Sequence, residues 1–255
     1  MKIISIIPAR MGSSRFPGKP MKNILGMPMI GHVYKRVKMS KTLAEVYVAT
    51  CDKEIFDYIE SIGGKAVMTS DRHERCADRC AEAMLKIENE TGEKCDIIVI
   101  VQGDEPLTFP QMIDEAVKPM IEDSNVSITN LVADINTIEA FENPKEIKVV
   151  MDKNNNALYF SREPIPSRQK SVLELPMKKQ VCVIPFKRDF LLEYNEMEQT
   201  PLEKIESVDM MRIIENGGKV KMCNTRYITK AVDNEKDLDL VCEMMKEDKL
   251  HDQYK

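Results

Sequence analysis

The chain has 255 residues, 43% of them hydrophobic, which is enough apolar material to bury one substantial core. Its net charge of −5 argues against nonspecific nucleic-acid binding, and the apolar run that starts at Ile3 is too short for a signal peptide or a membrane span. Seven cysteines, an odd number, imply no disulfide framework, so we expect a cytoplasmic protein that binds neither nucleic acid nor membrane.

Positive charge is concentrated near the beginning of the sequence. Residues 1–44 contain nine Lys or Arg and no acid, so this segment carries +9 and the remainder −14. Such a segment favours an anionic ligand. An exposed basic helix would account for part of the same pattern, through Lys35, Arg36, Lys38 and Lys41.

The first half of the chain alternates between predicted strands and helices. Apolar, β-branched runs predict strands buried on both faces of a parallel sheet, at Ile3–Ile7, Val46–Ala49, Ala66–Met68 and Ile97–Val101. Helices are predicted at about 28–40, 53–62 (with Asp52 as N-cap), 75–91 and 110–122. This alternation predicts the α/β class, as a three-layer αβα arrangement around a mostly parallel, Rossmann-like sheet.

The second half is less regular. Strands, some of them antiparallel, are predicted at Val126–Ala133, Ile147–Met151, Ala157–Phe160 and Val181–Phe186, with a polar loop at 165–180. We expect a single domain over residues 1–255 with a smaller antiparallel β insert at about 150–190.

The best-marked helix is predicted at 201–216. Thr200 can act as its N-cap, Pro201 suits its first turn, and Glu203 completes a capping box. Gly217 and Gly218 supply a stop signal.

A basic, glycine-containing loop follows the first predicted strand directly, over residues 8–20. Open α/β sheets bind ligands outside the carboxyl ends of their strands, so this loop lies where a ligand is expected. Arg10, Arg15 and Lys19 supply three cations, and the glycines at 12 and 18 allow close backbone approach. These features together favour a triphosphate.

The loop differs from a Walker A loop in two respects. Five residues rather than four separate Gly12 from Gly18, and Pro20 stands where Ser or Thr would bind magnesium. An ATPase or kinase of that class is therefore disfavoured. An exposed basic surface loop is the simpler alternative.

A carboxylate group follows the second strongly apolar strand, in the run Gln102-Gly103-Asp104-Glu105-Pro106. It should open into the same crevice as the basic loop. Carboxylate oxygens hold Mg²⁺ and present it to substrate phosphates. We therefore predict Asp104 as a metal ligand, with a plain turn position before Pro106 as the alternative.

The loop Ile7-Pro8-Ala9-Arg10, continued by Gly12-Ser13-Ser14-Arg15-Phe16-Pro17-Gly18-Lys19-Pro20, resembles the signature of CMP-sugar-acid synthetases, most closely the 3-deoxy-manno-octulosonate (Kdo) cytidylyltransferases. Further motifs continue the resemblance in the family's order along nearly the whole chain. They are Gly26-Met27-Pro28-Met29-Ile30, Val48-Ala49-Thr50, Met68-Thr69-Ser70, Val101-Gln102-Gly103-Asp104-Glu105-Pro106, Lys148-Val149-Val150, Ala157-Leu158-Tyr159-Phe160-Ser161-Arg162 and Thr200-Pro201-Leu202-Glu203.

The resemblance implies a nucleotidyltransferase fold and an Mg²⁺-dependent reaction. The anomeric hydroxyl of an acidic sugar would attack the α-phosphate of CTP, and pyrophosphate would leave. Arg10, Arg15, Lys19 and Asp104 would be the catalytic residues, and Asp233 would be the second metal ligand. Asp233 could instead be the N-cap of a helix that begins near Glu235. The resemblance also implies a homodimer formed through the β insert.

Substrate-binding residues follow from the same resemblance. Gln102 would contact the sugar acid or the ribose, Glu203 and Glu206 would face sugar hydroxyls, and Arg162 would meet the sugar carboxylate. A capping role for Glu203 and an ordinary strand-end position for Arg162 are the alternatives. The remaining predicted contacts are Ala9, Gly12, Ser13, Ser14, Arg79 and Gln180.

Three departures from the family pattern concern the sugar. Where Kdo-specific members show Ser-Gly-Thr-Glu-Arg, this chain has Arg75-Cys76-Ala77-Asp78-Arg79, and Gln180 replaces an expected histidine. The usual Pro-Trp of the insert is Pro166-Ser167. A related sugar acid is therefore open as the acceptor.

Other functions are compatible with parts of this pattern. A nucleotidyltransferase that uses another NTP or another acidic acceptor would share the fold, and so would a glycosyltransferase that binds a finished nucleotide sugar. The glycosyltransferase would commonly show an Asp-X-Asp motif, where this chain has Asp104-Glu105-Pro106. A binding protein without turnover is a third possibility. A zinc site at His73, Cys76 and Cys80 is disfavoured, because the spacing matches no common site and no fourth ligand is evident.

Overall fold

A computed structural model describes residues 1–12, 16–168 and 176–255 of the chain. Its strands are β1 (Ile3–Ala9), β2 (Asn23–Ile24), β3 (Met27–Pro28), β4 (Glu45–Thr50), β5 (Lys65–Met68), β6 (Ile97–Val101), β7 (Thr129–Asp134), β8 (Lys148–Met151), β9 (Ala157–Ser161), β10 (Lys178–Val181), β11 (Val183–Lys187) and β12 (Lys221–Asn224).

The helices lie between these strands and after them. They are α1 (Met29–Lys38), α2 (Lys53–Ser61), α3 (Cys76–Thr91), α4 (Pro110–Glu122), α5 (Ile138–Glu142), α6 (Arg188–Glu196), α7 (Pro201–Glu206), α8 (Met210–Glu215) and α9 (Glu235–Lys246). Short 3-10 turns occur at Lys19–Met21 and His251–Gln253. No helix in the described ranges has both the length and the apolar composition needed to cross a bilayer.

The main sheet has the strand order β11-β6-β1-β4-β5. Strands β6, β1, β4 and β5 are parallel, and β11 is antiparallel to β6 at one edge. The side chains of β1 alternate between two apolar clusters, with Ile4 and Ile6 on one face and Ile3 and Ile7 on the other. The predicted three-layer α/β fold is confirmed, because helices pack against both faces.

Each face is covered by its own set of helices. The cluster that contains Ile4 and Ile6 includes residues of α3, α6 and α8, whereas the cluster that contains Ile3 and Ile7 includes residues of α1, α2 and α4. A strand that is buried on both faces needs apolar residues at every position. The uninterrupted apolar runs of β1 and β6 satisfy that requirement.

A second sheet has the order β12-β7-β10-β8-β9. Strand β10 is antiparallel to β7 and β8, β8 is antiparallel to β9, and β12 is parallel to β7. The predicted β insert at about 150–190 is therefore too short, because this sheet takes strands from residues 129 to 224.

One predicted strand, Val181–Phe186, is divided in the structure. β10 belongs to the second sheet and β11 to the main sheet, and only Cys182 separates them. The predicted loop at 165–180 consequently loses residues 178–180 to β10, and residues 169–175 lie outside the described part of the chain.

The predicted helix at 201–216 is also divided, into α7 and α8. Ser207 ends α7 with a left-handed backbone conformation, at φ 52°. The turn allows Arg212 of α8 to reach back to Glu203 of α7, where the two form a buried ion pair. The predicted start at Pro201 is confirmed, but the helix is not continuous.

The predicted capping role of Asp52 is only half correct. Asp52 is at the N-cap position of α2, but its side chain makes no capping hydrogen bond. Its Oδ2 instead accepts a hydrogen bond from the backbone N–H of Met11, at 2.8 Å. This contact ties the loop after β1 to the end of β4.

Candidate active site

Three segments of the chain meet at the carboxyl edge of the main sheet. β1 and β6 are parallel neighbours, with Ile6 opposite Ile100, so the loops that follow them leave the sheet at the same edge. The third segment, residues 225–234, leads into α9. The backbone N–H of Val232 donates to the carbonyl oxygen of Asp104, at 3.0 Å, and this bond joins the second and third segments.

Lys19 lies between two carboxylates that come from these segments. Its Nζ is 2.6 Å from Asp104 Oδ2 and 3.7 Å from Asp233 Oδ1. All three side chains are largely but not completely buried, with exposures of 13% for Lys19, 21% for Asp104 and 23% for Asp233. The structure thus brings together the predicted cation and both predicted metal ligands.

The loop that carries Lys19 is held in shape by backbone contacts. Gly18 has a φ of 70°, a left-handed conformation that glycine adopts without strain, and it precedes the short 3-10 turn at Lys19–Met21. The N–H of Gly18 donates to the carbonyl oxygen of Met11, at 3.1 Å. Lys19 is therefore presented from a closed turn.

A small apolar cluster supports all three segments. Phe16, Leu107 and Val232, which flank Lys19, Asp104 and Asp233 in sequence, pack with the α9 side chains Leu238, Val241 and Met245. We call these six residues, with Ile24 and Met29, the α9 cluster. Each segment contributes to this cluster one residue within three positions of its charged residue. The packing of the cluster therefore helps to fix the positions of the three charged side chains.

Two observations test whether the carboxylates suit a divalent metal. Asp104 Oδ1 is buried and has no hydrogen-bond donor among the described residues, although Oδ2 is paired with Lys19. Asp233 is not the N-cap of α9, because Asn234 holds that position and its side chain accepts from the N–H of Asp237, at 3.0 Å. The proposed N-cap alternative for Asp233 is therefore wrong. Two carboxylates that both lie beside one cationic group, here Lys19 Nζ, have the ligand chemistry that a hard cation such as Mg²⁺ prefers.

A cavity of about 280 Å³ opens beside the two carboxylates. Its lining includes Gln102, Arg162 and Gln180, three of the predicted substrate contacts, together with Asp104 and Asp233. The Nε2 of Gln180 donates to Asn130 Oδ1, at 2.6 Å, so its amide orientation is fixed by the second sheet. The cavity lies between the two sheets and suits a polar ligand.

Arg162 lines this cavity, whereas Glu206, predicted to face a sugar hydroxyl, is not among the lining residues and contacts Arg162 from behind. The guanidinium of Arg162 donates to the backbone carbonyl oxygens of Glu206 at 2.7 Å, Pro144 at 2.9 Å and Ser207 at 3.4 Å. The carboxylate of Glu206 accepts from the N–H of Arg162, at 2.8 Å, and from the hydroxyls of Tyr159 and Ser161. Much of the hydrogen-bonding capacity of both side chains is thus used in contacts within the protein.

Glu203 lies away from the cavity. It is completely buried, and its two carboxylate oxygens accept from Arg212 Nη2 at 2.7 Å and Nε at 2.8 Å. It also accepts from the N–H of Thr200, at 3.3 Å, which is the capping contact considered as its alternative role. The prediction that Glu203 faces a sugar hydroxyl is therefore wrong.

A smaller pocket lies next to the loop after β1. Its lining includes Ala9, Arg10 and Arg79, which were predicted to bind substrate or phosphate. Arg10 Nη1 donates to the carbonyl oxygen of His73, at 3.4 Å. Arg79 is buried and donates to Ser70 O, at 3.2 Å, while its Nη2 has no acceptor in the described part of the chain.

The remaining predicted residues belong to the loop itself. Gly12 is exposed at the start of the turn. Ser13, Ser14 and Arg15 lie outside the described residues, so their predicted roles remain predictions.

The role of one residue and one ion pair near the site were not predicted from the sequence. Glu105 lines the larger cavity and is buried, and burial together with the charge of Asp104 raises its pKa to about 7. Its position beside Asp104 was a usable signal. Arg75 pairs with Asp209, at 3.0 Å, across 134 residues, and no local sequence pattern indicates that contact.

Comparisons with known proteins identify relatives over nearly the whole chain. The profile of the family described as Cytidylyltransferase matches residues 4–226. A 3-deoxy-manno-octulosonate cytidylyltransferase from Geotalea uraniireducens is 43% identical over 256 residues, covering 96% of this chain and 100% of the relative. The protein of the same name from Geobacter metallireducens is 40% identical over 255 residues, with coverages of 96% and 98%.

A solved structure is similar over the same length. It is a CMP:2-keto-3-deoxy-manno-octonic acid synthetase complexed with CTP, and it matches with a TM-score of 0.88 and 35% sequence identity. The match covers 96% of this chain and 99% of that chain.

Proposed function

This chain belongs to the cytidylyltransferase family, and from that membership and its site we propose that it transfers CMP from CTP to a 2-keto-3-deoxy sugar acid. The acceptor would be 3-deoxy-manno-octulosonate or a related acid, and the second product would be pyrophosphate. Membership of the family confirms the resemblance and the enzyme class predicted from the sequence. The observation that carries the proposal is the convergence of Lys19, Asp104 and Asp233 on one point.

The triphosphate would lie along the loop after β1. Lys19 Nζ stands beside both carboxylates, and Arg10 lines the adjoining smaller pocket, so cations are available on two sides of the crevice. Arginine and lysine donors neutralise phosphate oxygens, and this lowers the cost of charge that builds up on leaving pyrophosphate. In this account Arg15 supplies a third cation, as predicted from the sequence.

We propose Mg²⁺ as the cofactor, held by Asp104 and Asp233. The buried, unpartnered Oδ1 of Asp104 supports this assignment within the described residues. When bound, the ion would neutralise phosphate charge and help align the reacting oxygens. Lys19, which pairs with both carboxylates here, would then be free to donate to a phosphate oxygen.

The sugar acid would occupy the cavity of about 280 Å³. In the reaction, the anomeric hydroxyl loses its proton to solvent as its oxygen bonds to the α-phosphorus, and the bond between that phosphorus and the bridging oxygen breaks, so that pyrophosphate leaves with the electron pair. The chain's contribution is orientation, since holding the two reactants in line removes much of the entropic barrier. Gln102 and Gln180 line the cavity and would contact the sugar.

Two further parts of the proposal rest on the family resemblance. We propose a homodimer that forms through the second sheet, and a cytoplasmic location. Sedimentation of the purified protein at micromolar concentration tests the first, where a single species of 29.2 kDa would contradict it.

Pyrophosphate release tests the proposed reaction directly. The purified enzyme is assayed with CTP, Mg²⁺ and a panel of 2-keto-3-deoxy sugar acids, and again with ATP, GTP and UTP in place of CTP. We expect release that requires both CTP and a sugar acid. The sugar that gives the highest kcat/KM identifies the acceptor, which the departures at Arg75-Cys76-Ala77 and Gln180 leave open.

A matched pair of variants separates the site from general damage. Asp104→Asn keeps the size of a proposed metal ligand and removes its charge, so turnover should fall by about a thousandfold while the fold is retained. Asp239→Asn changes an exposed carboxylate of α9 and should behave as wild type. Wild-type turnover in Asp104→Asn would refute the metal role, and release from another NTP at a higher rate would refute the assignment of CTP.

A further inference from the structure

A buried arginine outside the site links α1 to the segment that follows α9. Arg36 of α1 is 0% exposed. Its Nε donates to the hydroxyl of Tyr254, at 2.7 Å, and its Nη2 donates to Asp248 Oδ2. A buried guanidinium is costly without partners, so these two contacts largely determine where the segment can lie.

Neighbouring residues of α1 fasten the same segment. Lys35 Nζ donates to the backbone carbonyl oxygen of Tyr254, at 2.9 Å. The Tyr254 hydroxyl is also 3.0 Å from Nδ1 of His32, and Nε2 of His32 is 2.8 Å from the carbonyl oxygen of Ile24. Residues 32, 35 and 36 share one face of a helix because of its periodicity, so they act together.

The segment that carries Asp248 and Tyr254 continues directly from the end of α9, so fixing this segment also fixes that end of the helix. Val241 and Met245 of α9 belong to the α9 cluster, which also contains Leu107 and Val232. Leu107 lies three residues after Asp104, and Val232 is adjacent to Asp233. Moving α9 would therefore shift the packing directly beside both carboxylates.

A second line of contacts runs from Arg36 toward the same two segments. The guanidinium lies 5.3 Å from the ring centroid of Tyr254 and 5.9 Å from that of Phe109. The Phe109 ring stacks on Tyr227, with centroids 4.8 Å apart. Phe109 follows Asp104 by five residues, and Tyr227 precedes Asp233 by six. Arg36 is thus linked to the segments that carry Asp104 and Asp233 in two ways, through the segment after α9 and through the stacked rings of Phe109 and Tyr227.

We propose that Arg36, Asp248 and Tyr254 form a latch that fixes the distance between Asp104 and Asp233. Arg36 is a positioning residue, because its side-chain hydrogen bonds within the described ranges go to Tyr254 and Asp248 and it does not line the cavity. The inference rests on the proposed role of the two carboxylates in holding a metal and a triphosphate. Its structural part, that the latch keeps the segment 225–234 in place, can be measured without any ligand.

The experiment compares two latch variants with a control from the same segment. Asp248→Asn removes the charge that faces Arg36, and Tyr254→Phe removes one hydroxyl but keeps the ring. Asp252→Asn is the control, because Asp252 is exposed and pairs with the exposed Lys255. Backbone hydrogen exchange at Val232, whose N–H donates to Asp104 O, reports on the segment in the ligand-free enzyme.

We expect Asp248→Asn to speed exchange at Val232 by about tenfold, the order expected when a hydrogen bond to a charged group is lost. With CTP present, Mn²⁺ used as a paramagnetic probe of the metal site should bind about three- to tenfold more weakly, since carboxylate spacing controls affinity. The control should match wild type in both measurements. Tyr254→Phe should give smaller changes in the same direction.

Exchange at Val232 that stays at the wild-type rate in both latch variants would overturn the proposal, whatever happens to the melting temperature. Faster exchange with unchanged Mn²⁺ affinity would overturn the positioning role. If the wild type itself binds no Mn²⁺ with CTP, the metal role in the proposed function fails, and the latch is then decided by exchange alone. If Asp248→Asn does not fold, Tyr254→Phe gives the same decision.

Discussion

The buried ion pair between Glu203 and Arg212 gives a prediction that separates stability from substrate binding. Both carboxylate oxygens of Glu203 accept from the guanidinium, at 2.7 and 2.8 Å, and the two side chains are 0% and 4% exposed. The guanidinium also lies 4.4 Å from the ring of Tyr194 and donates to the carbonyl oxygens of Tyr194 and Met197. Glu203→Gln would leave the arginine charge buried without a countercharge.

Removing one partner of a buried pair costs about 3–5 kcal/mol, a large part of the roughly 5–15 kcal/mol that holds a domain folded. Glu203→Gln retains one acceptor oxygen, so we expect the free energy of unfolding to fall by about 3 kcal/mol. Replacing both partners, as Glu203→Leu with Arg212→Met, should restore much of that loss because no buried charge remains. Urea unfolding of the wild type, Glu203→Leu, Arg212→Met and the double variant measures the coupling.

Enzyme assays on the same variants complete the test. The KM for the sugar acid, measured where each variant is fully folded, should stay within about twofold of wild type. Glu203 lies away from the cavity, so its replacement removes no contact with the sugar acid. The reasoning is refuted if Glu203→Gln keeps wild-type stability but raises the KM for the sugar acid about tenfold. That outcome would return Glu203 to the sugar-binding role predicted from the sequence.

Three other predictions concern single residues. A Cβ at Gly103 would lie 2.9 Å from Pro8 O and 3.2 Å from Ile30 Cδ1. Gly103→Ala should therefore lower the free energy of unfolding in urea by about 1–3 kcal/mol and raise the KM for CTP. Unchanged values of both would contradict the close packing. Burial holds the pKa of His32 at about 4 instead of 6.5, so as pH falls through 6.5 the unfolded chain gains a proton that the folded chain does not. Stability should therefore fall by up to about 3 kcal/mol between pH 6.5 and 4, and His32→Gln should lose this part of the pH dependence in urea unfolding at pH 7 and 5. Arg15→Ala should weaken CTP binding much more than sugar binding in calorimetric titrations, and an unchanged CTP affinity would count against the basic-loop assignment.

The elements that the sequence predicted best are those whose signal is local. β1 and β6 are nearly uninterrupted runs of β-branched residues, and only strands buried on both faces need such runs. The start of α7 was equally clear, because Pro201 and Glu203 mark a first turn. Here local preference and the final fold agree.

The errors have a tertiary cause. The apolar run at 181–186 looks like one strand, since no local feature shows that the chain passes from one sheet to the other at Cys182. The break at Ser207 brings Arg212 to Glu203 in a buried ion pair, and side-chain pairing across a turn is not visible in helix-capping signals.

The residues of the site likewise divide into those with a local sequence signal and those that depend on the tertiary fold. Asp104 could be predicted from its place at the end of an apolar strand, because parallel strands direct their carboxyl ends to one edge. Asp233 came from the family resemblance, since 129 residues separate it from Asp104 and a cap at Asn234 has the same local appearance. The pairing of both acids with Lys19 required the structure.

The central claim is that Lys19, Asp104 and Asp233 form one site for a metal and a triphosphate. Calorimetric titration of CTP with Mg²⁺ into wild type, Asp104→Asn and Asp233→Asn tests it most directly, with Asp239→Asn as the control. We predict that each site variant binds the Mg²⁺–CTP complex at least about tenfold more weakly, because a metal ligand is lost, while the control binds as wild type. Equal affinity in all four proteins would contradict the claim.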